Sequence, residues 1–326
     1  MAVGSMLKEM LGIRRPIFQA PIGSFTDPSL VAAVSNAGCA GMHALSWTSS
    51  DDIEKIIVDT RRKTSGVFGA NLVLQWDQQE RFDALVSSGC RLISFFWGDP
   101  SPYLEKAKSN GITTMLTVGS SEEARNAAKI GIDILVAQGW ESGGHVWGDV
   151  STMALVPTIA KAVPNTPVVA AGGIASGRAI AAALSLGAEA VWMGTRFVAS
   201  AEARAHPGFK ELIVQASEST TAYGCTFDGG WPDAPHRVLR NVTVDTAERV
   251  SQKDRARIGR LPSGEDICRF DDMPPIDGMT GAWDQTALYA GQSAGQIDSI
   301  EPVSKIVEDL MTEAHIAASE LSSMLI

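Results

Sequence analysis

From residue 17 to residue 197 the chain repeats one pattern: a short apolar run, then a stretch with helical periodicity. The runs are "IFQAPI" (17–22), "AGMHAL" (40–45), "FGANLVL" (68–74), "LISFFWG" (92–98), "TTMLTV" (113–118), "ILVAQGW" (134–140), "PVVAAGG" (167–173) and "AVWMGTRF" (190–197). None exceeds eight residues, the length of strands buried on both faces. The stretches between them carry helix punctuation. "DPSLVAAVSNAG" offers Asp27 as cap, Pro28 in the first turn and Gly38 at the stop, and "SSEEARNAAKIG" runs from two serines to Gly131.

Strict alternation of strand and helix predicts a parallel sheet. Eight units within about 200 residues predict an α/β fold of the closed (β/α)8, or TIM barrel, type. An open doubly wound sheet would want a GxGxxG turn after its first strand, and "QAPIGSFTDP" is not one. We divide the chain into a barrel (1–223), an irregular lid-like excursion (224–285) rich in Gly, Pro and Asp, and a return segment with a C-terminal helix packing on the barrel (286–326).

Composition narrows the partners. With 27 basic against 37 acidic residues and no basic stripe, nucleic acid is excluded as a partner. No apolar stretch reaches the length of a membrane span, and the N-terminus lacks the apolar core of a signal peptide. The four cysteines form no CxxC pair. A reduced, cytoplasmic chain without a metal site is expected, with Cys39 and Cys90 as inert buried thiols.

In a barrel of this kind chemistry sits at the C-terminal ends of the strands. "QGWESGGH" (138–145) follows the sixth run directly, which puts His145 on that face. Its glycines let backbone amides approach a ligand closely. The second glycine site closes the seventh and eighth runs: Gly172 and Gly173, then Gly194 and Thr195. Amides there, with the helix "SGRAIAAALSLG" starting beside them, suit a phosphate. His43 fits a pocket wall and a core position equally. His206 and His315 read as solvated. Trp47, Trp76, Trp97, Trp140 and Trp147 fall near strand ends and suit pocket walls or core packing; Trp231 and His236 are candidate lid contacts.

Five segments together resemble one family: "PIFQAPIGSFTDPSLVAAVSNAG", "GANLVL", "QGWESGGH", "AAGGIASGRAIAAALSLGAEAVWMGTRF" and "LYAGQSAGQI". The chain resembles the nitronate monooxygenases, formerly 2-nitropropane dioxygenases, which are FMN-dependent barrels. The resemblance implies that Asn71 hydrogen-bonds the flavin, that Gln138 contacts its ring and that Gly143 lies against it. It places Pro21 and Ile22 near the ring, gives the ribityl phosphate to Gly173 and the stretch Trp192, Met193, Gly194 and Thr195, and makes His145 the catalytic base. The chain departs from the family's usual pattern at Ser142, Val146 and Trp147, at Ile22 and at Trp192.

The activity so implied is oxidation of a nitronate or nitroalkane by FMN and O2, giving a carbonyl compound and nitrite. A small molecule and O2 are then the partners, and a homodimer the assembly. The alternative is an NAD(P)H-dependent FMN reductase of the quinone or enoyl-thioester type. An IMP-dehydrogenase-like barrel would need a nucleophilic cysteine on a loop after a barrel strand, and none of the four cysteines is placed so.

Overall fold

The computed structural model describes residues 5–247 and 255–325. Its centre is a closed parallel barrel of eight strands: Ile17–Gln19, Ala40–Ala44, Phe68–Val73, Leu92–Phe96, Thr113–Val118, Ile134–Gln138, Val168–Ala171 and Ala190–Met193. The last strand pairs with the first, Phe18 opposite Trp192, and closes the ring. All eight apolar runs are strands, and the order around the barrel is the order in the sequence. Most are shorter than the run that announced them. The first ladder stops at Gln19, and Ala20, Pro21 and Ile22 lead into a short turn at Gly23–Phe25.

Alternation along the strands divides the core in two. Phe18, Met42, Met115, Val136 and Val169 fill the barrel interior. Ile17, Leu72, Phe95, Leu135 and Val191 face the surrounding helices. The N-terminal helix Ser5–Leu11 adds Leu7 to the interior cluster, and the Leu7 amide donates to the Glu189 carboxylate at 3.0 Å.

Local signals set the helix ends. Asp27 accepts from the amides of Ser29 and Leu30, and Ser120 and Ser176 cap the helices Ser121–Ile130 and Gly177–Ser185. Gly131 ends its helix in the left-handed conformation, φ +94°. The C-terminal helix Val303–Met324 packs across Gly177–Ser185. The approach is so close that a Cβ on Gly177 would lie 2.3 Å from the Leu310 carbonyl oxygen.

The described residues after 223 form more regular structure than their composition suggests. One antiparallel sheet joins Thr221–Gly224, His236–Leu239 and the two-residue strand Gly144–His145, with His236 opposite His145. A second joins Asp266–Cys268, Arg257–Arg260 and Thr280–Gly281. The first sheet ties the excursion to the glycine loop after the sixth barrel strand.

Candidate active site

At the C-terminal mouth of the barrel lies a cavity of about 780 Å³. Residues from all three parts of the chain line it. Pro21, Ile22, Asn71, Gln138, Gly143, His145, Gly172, Gly173, Trp192, Gly194 and Thr195 all reach it. Met193 does not: the barrel alternation turns its side chain outward into the core beneath the helices.

One end of the cavity is a backbone cradle. Gly172 and Gly173 have φ of +105° and +70°, which side chains other than glycine rarely adopt. The amides of Gly173, Gly194 and Thr195 donate to no protein acceptor among the described residues. The Thr195 hydroxyl accepts from the Gly291 amide at 3.0 Å. The helix Gly177–Ser185 contributes less than its position suggests. Its first amide, on Gly177, donates to Glu313 of the C-terminal helix at 2.6 Å, and the Ala179 amide is held by Ser176. The anion at that helix start is thus a carboxylate of the protein itself. Arg204 is the one Arg or Lys among the described residues that line the cavity.

The other end carries His145. Its loop is threaded tightly: a Cβ on Gly143 would lie 2.3 Å from the Gly291 amide nitrogen, so the loop and the return segment cross backbone to backbone. Gln138 clamps the loop from inside. Its Nε2 donates to the His145 carbonyl at 3.0 Å and its Oε1 accepts from the Trp147 amide at 2.9 Å. Asn71, which lines the cavity, accepts from Ser94 Oγ at 2.7 Å through its Oδ1, which leaves its NH2 without an acceptor among the described residues.

The His145 ring stacks on Trp231 at 4.0 Å between centroids. Its Nε2 is enclosed, has no hydrogen-bond partner among the described residues, and lies 3.9 Å from Asp272 Oδ2. The Tyr289 hydroxyl donates to Asp272 Oδ1. Burial, with His236 as a lesser cause, pushes His145 down to about 3, so the imidazole is neutral. Burial pushes Asp272 up to about 6, against the Tyr289 hydrogen bond that lowers it.

Asp272 and Tyr289 carry no recognisable motif. The only signal for Tyr289 is its place in "LYAGQSAGQI". His236, read as a lid contact, is a buried structural clamp. Its Nε2 accepts from the Phe227 amide and its Nδ1 faces the Ala234 carbonyl, so Nδ1 carries the proton and the ring is neutral. Trp231 does reach the cavity.

The other residues singled out divide as follows. Trp47 lines the cavity, half exposed, while Trp76 and Trp97 pack behind Trp231, with Trp147 beside Trp97. Trp140 lies elsewhere, with Tyr223, against the buried guanidinium of Arg237. His43 takes both of its expected roles. It lines the cavity, and its buried Nε2 lies 2.9 Å from Thr60 Oγ1. Thr60 already donates to the Ile56 carbonyl, so His43 Nε2 is the donor. His206 is not simply solvated: it caps the helix Pro207–Gln215 and stacks on Trp283. His315 is exposed. Burial pushes the thiols of Cys39 and Cys90 up to about 12 and about 11, which makes them inert.

Comparison with known proteins now adds to the geometry. The family model for nitronate monooxygenase matches residues 4–84 and 76–313. The chain belongs to the nitronate monooxygenase family. Within and around this family, it is 33% identical to the (3aS,4S,5R,7aS)-5-hydroxy-7a-methyl-1-oxo-octahydro-1H-indene-4-carboxyl-CoA dehydrogenase of Mycobacterium tuberculosis, over 96% of this chain and 97% of that protein. It is 32% identical to a probable nitronate monooxygenase of Staphylococcus saprophyticus, over 68% of this chain and 75% of that protein. Among solved structures, FabK from Thermotoga maritima superposes with a TM-score of 0.87 at 34% identity, covering 99% of this chain and all of that one. The protein is therefore an oxidoreductase enzyme built on a (β/α)8 barrel. Among the described residues no helix is long and apolar enough to cross a membrane.

Proposed function

We propose that the chain is an FMN-dependent oxidoreductase that oxidises nitronates and nitroalkanes with O2, giving a carbonyl compound and nitrite. The observation that carries this reading is the cavity's two-ended construction. Unmet backbone amides stand at one end, and a neutral, enclosed imidazole with an unpartnered nitrogen stands at the other. The donors fit the cofactor. Gly173, Gly194 and Thr195 would receive the phosphate through amides, with Arg204 near. Asn71 would offer its free NH2 to the ring system, and Ile22 and Trp192 would supply apolar wall. Gln138, with both polar ends engaged in the loop, would have one N–H left for the ring.

When bound, FMN supplies the electron acceptor and the reactivity toward O2. The chain's own residues do the rest. His145 takes the α-proton of a neutral nitroalkane, which a neutral imidazole can do and an imidazolium cannot. The Gly143 amide would face the charge that develops on the nitro oxygens. Trp231 and the tryptophans behind it keep bulk water from the base.

The visible absorption spectrum of the purified protein tests the cofactor: flavin bands are expected, and a colourless, fully folded protein would contradict the reading. Nitrite release from nitroethane and from its preformed nitronate tests the activity.

A second reading is favoured by the full-length similarity to FabK and to a carboxyl-CoA dehydrogenase: an NAD(P)H-dependent FMN reductase of the quinone or enoyl-thioester type. Anaerobic mixing separates the two. Rapid flavin bleaching by NADH or NADPH supports the reductase, and bleaching only by a nitronate supports the monooxygenase.

A further inference from the structure

The His145 site contains an internal tension. Its apolar surroundings and neighbouring His236 depress the imidazole to about 3. A base so depressed removes protons poorly, because general bases work best with a pKa near the working pH. Something must stabilise the imidazolium as it forms.

The groups that face the ring can be enumerated. Trp231 covers one face, and the rings of Trp97, His236 and Tyr289 surround it at 5.5–6.2 Å between centroids. Both ring nitrogens of His236 are engaged, so it offers no acceptor to an imidazolium at His145. Tyr289 has turned its hydroxyl to Asp272. The carboxylate within reach is Asp272, with Oδ2 3.9 Å from the enclosed Nε2. That is too long for a hydrogen bond, by less than about 1 Å.

The backbone places these groups with care. His145 pairs with His236, and Val238 of that same strand pairs with Tyr289. The Asp272 amide donates to the Gly229 carbonyl at 3.0 Å, in the loop that carries Trp231. Base, carboxylate and phenol thus come from the barrel loop, the excursion and the return segment, sewn into one unit. The pattern of a base oriented by a third group recurs across unrelated enzymes.

We propose that Asp272 is the positioning carboxylate of this base: it accepts the Nε2–H of His145 and stabilises the imidazolium formed when the opposite nitrogen, Nδ1, takes a substrate proton. Tyr289 orients Asp272 by donating to its other oxygen. In the step itself the substrate C–H bond breaks, its electron pair stays on carbon, and the proton goes to Nδ1. Asp272 remains ionised throughout. The proposal rests on His145 being the base. Burial, with the neighbouring Asp271 as a lesser cause, raises Asp272 to about 6, so the carboxylate is lost below about pH 6 and the base with it.

The test is ¹⁵N-histidine NMR of the flavin-bound protein at pH 7, where Asp272 is ionised, compared with Asp272→Asn and Asp272→Glu. In wild type His145 should carry its proton on Nε2 and leave Nδ1 bare, because the carboxylate accepts the Nε2–H. Asp272→Asn should lose part of that preference and Asp272→Glu should keep more of it. A proton on Nδ1 in wild type overturns the proposal, and so does an unchanged preference in a folded Asp272→Asn. If Asp272→Asn does not fold, the wild-type tautomer decides.

Kinetics add a second reading of the same variants. Turnover of nitroethane by Asp272→Asn should fall about 10–100-fold in kcat with little change in KM, while preformed ethylnitronate is consumed within about threefold of wild type. Equal loss on both substrates, with flavin retained, would make Asp272 a structural residue and sink the idea. If wild type turns over neither substrate, the substrate assignment fails, and the His145 tautomer decides on Asp272 alone.

Discussion

His43 shows how one buried side chain couples this fold to pH. Burial lowers it from 6.5 to about 4. Between those values the unfolded chain binds a proton that the folded chain refuses, so stability is full above about pH 6.5 and drains away as pH falls. The shift corresponds to roughly 3 kcal/mol by linkage. His145 and His236 are lowered too and act in the same direction. Asp272 acts oppositely. Its raised pKa costs stability as pH rises from 3.8 to about 6. His43→Gln keeps an amide donor for Thr60 and cannot titrate. Denaturant melts at pH 7 and pH 5 should show a smaller loss for the variant than for wild type; an equal loss would mean that His43 does not stay neutral in the fold. The cradle glycines allow a different single-residue test. Gly173 has left-handed φ, so any side chain there adds strain. Gly194 does not: its φ is −100°, and a Cβ would meet only Ile22 and Ala20 at ordinary distances of 3.4 and 3.7 Å. Gly194→Asp should keep the fold, as judged by circular dichroism, and lose the flavin. Full flavin occupancy in that variant would move the phosphate elsewhere.

The elements explain what their sequences did and did not reveal. Each barrel strand was legible because it is buried on both faces and reads as an unbroken apolar run. Their ends were less so. "APIGSF" is apolar enough to prolong a strand, yet its residues leave the ladder because they line a cavity. The C-terminal helix was legible as amphipathic, but not that its Glu313 would occupy the start of the helix Gly177–Ser185. That contact joins residues 136 apart in the chain, and nothing in either segment announces it. It predicts a strong steric constraint. Gly177→Ala would push a Cβ to within 2.3 Å of the Leu310 carbonyl and 2.5 Å of the Ala314 amide. Backbone cannot yield as a side chain does, so a loss of about 1–3 kcal/mol is expected, read as a drop of several degrees in Tm. An unchanged Tm would show that the two helices pack less closely than described.

Taken whole, the molecule places its two site ends on different kinds of scaffold. The cradle lies on barrel strands seven and eight, and both of its glycine sites stood out in the sequence. The His145 end is assembled from loops far apart in the chain. His145 stood out because of its glycines, whereas Asp272 and Tyr289 did not, since their meaning comes only from the pairing of His236–Leu239 with two distant segments. The excursion reads as a cover because Trp231 lies directly on the His145 ring. Limited proteolysis should therefore cut within residues 224–285 more slowly when flavin and a tight ligand are bound; equal rates would remove the lid role.

The comparison that decides between a base and a merely structural histidine uses one variant and two substrates. His145→Asn should slow oxidation of neutral nitroethane by about 10²–10⁴-fold, the usual contribution of a general base. Preformed ethylnitronate has already lost its proton, so the same variant should oxidise it at close to the wild-type rate, with flavin content unchanged. Equal loss on both substrates, with the flavin still bound, would contradict the assignment of His145 as the proton-abstracting base.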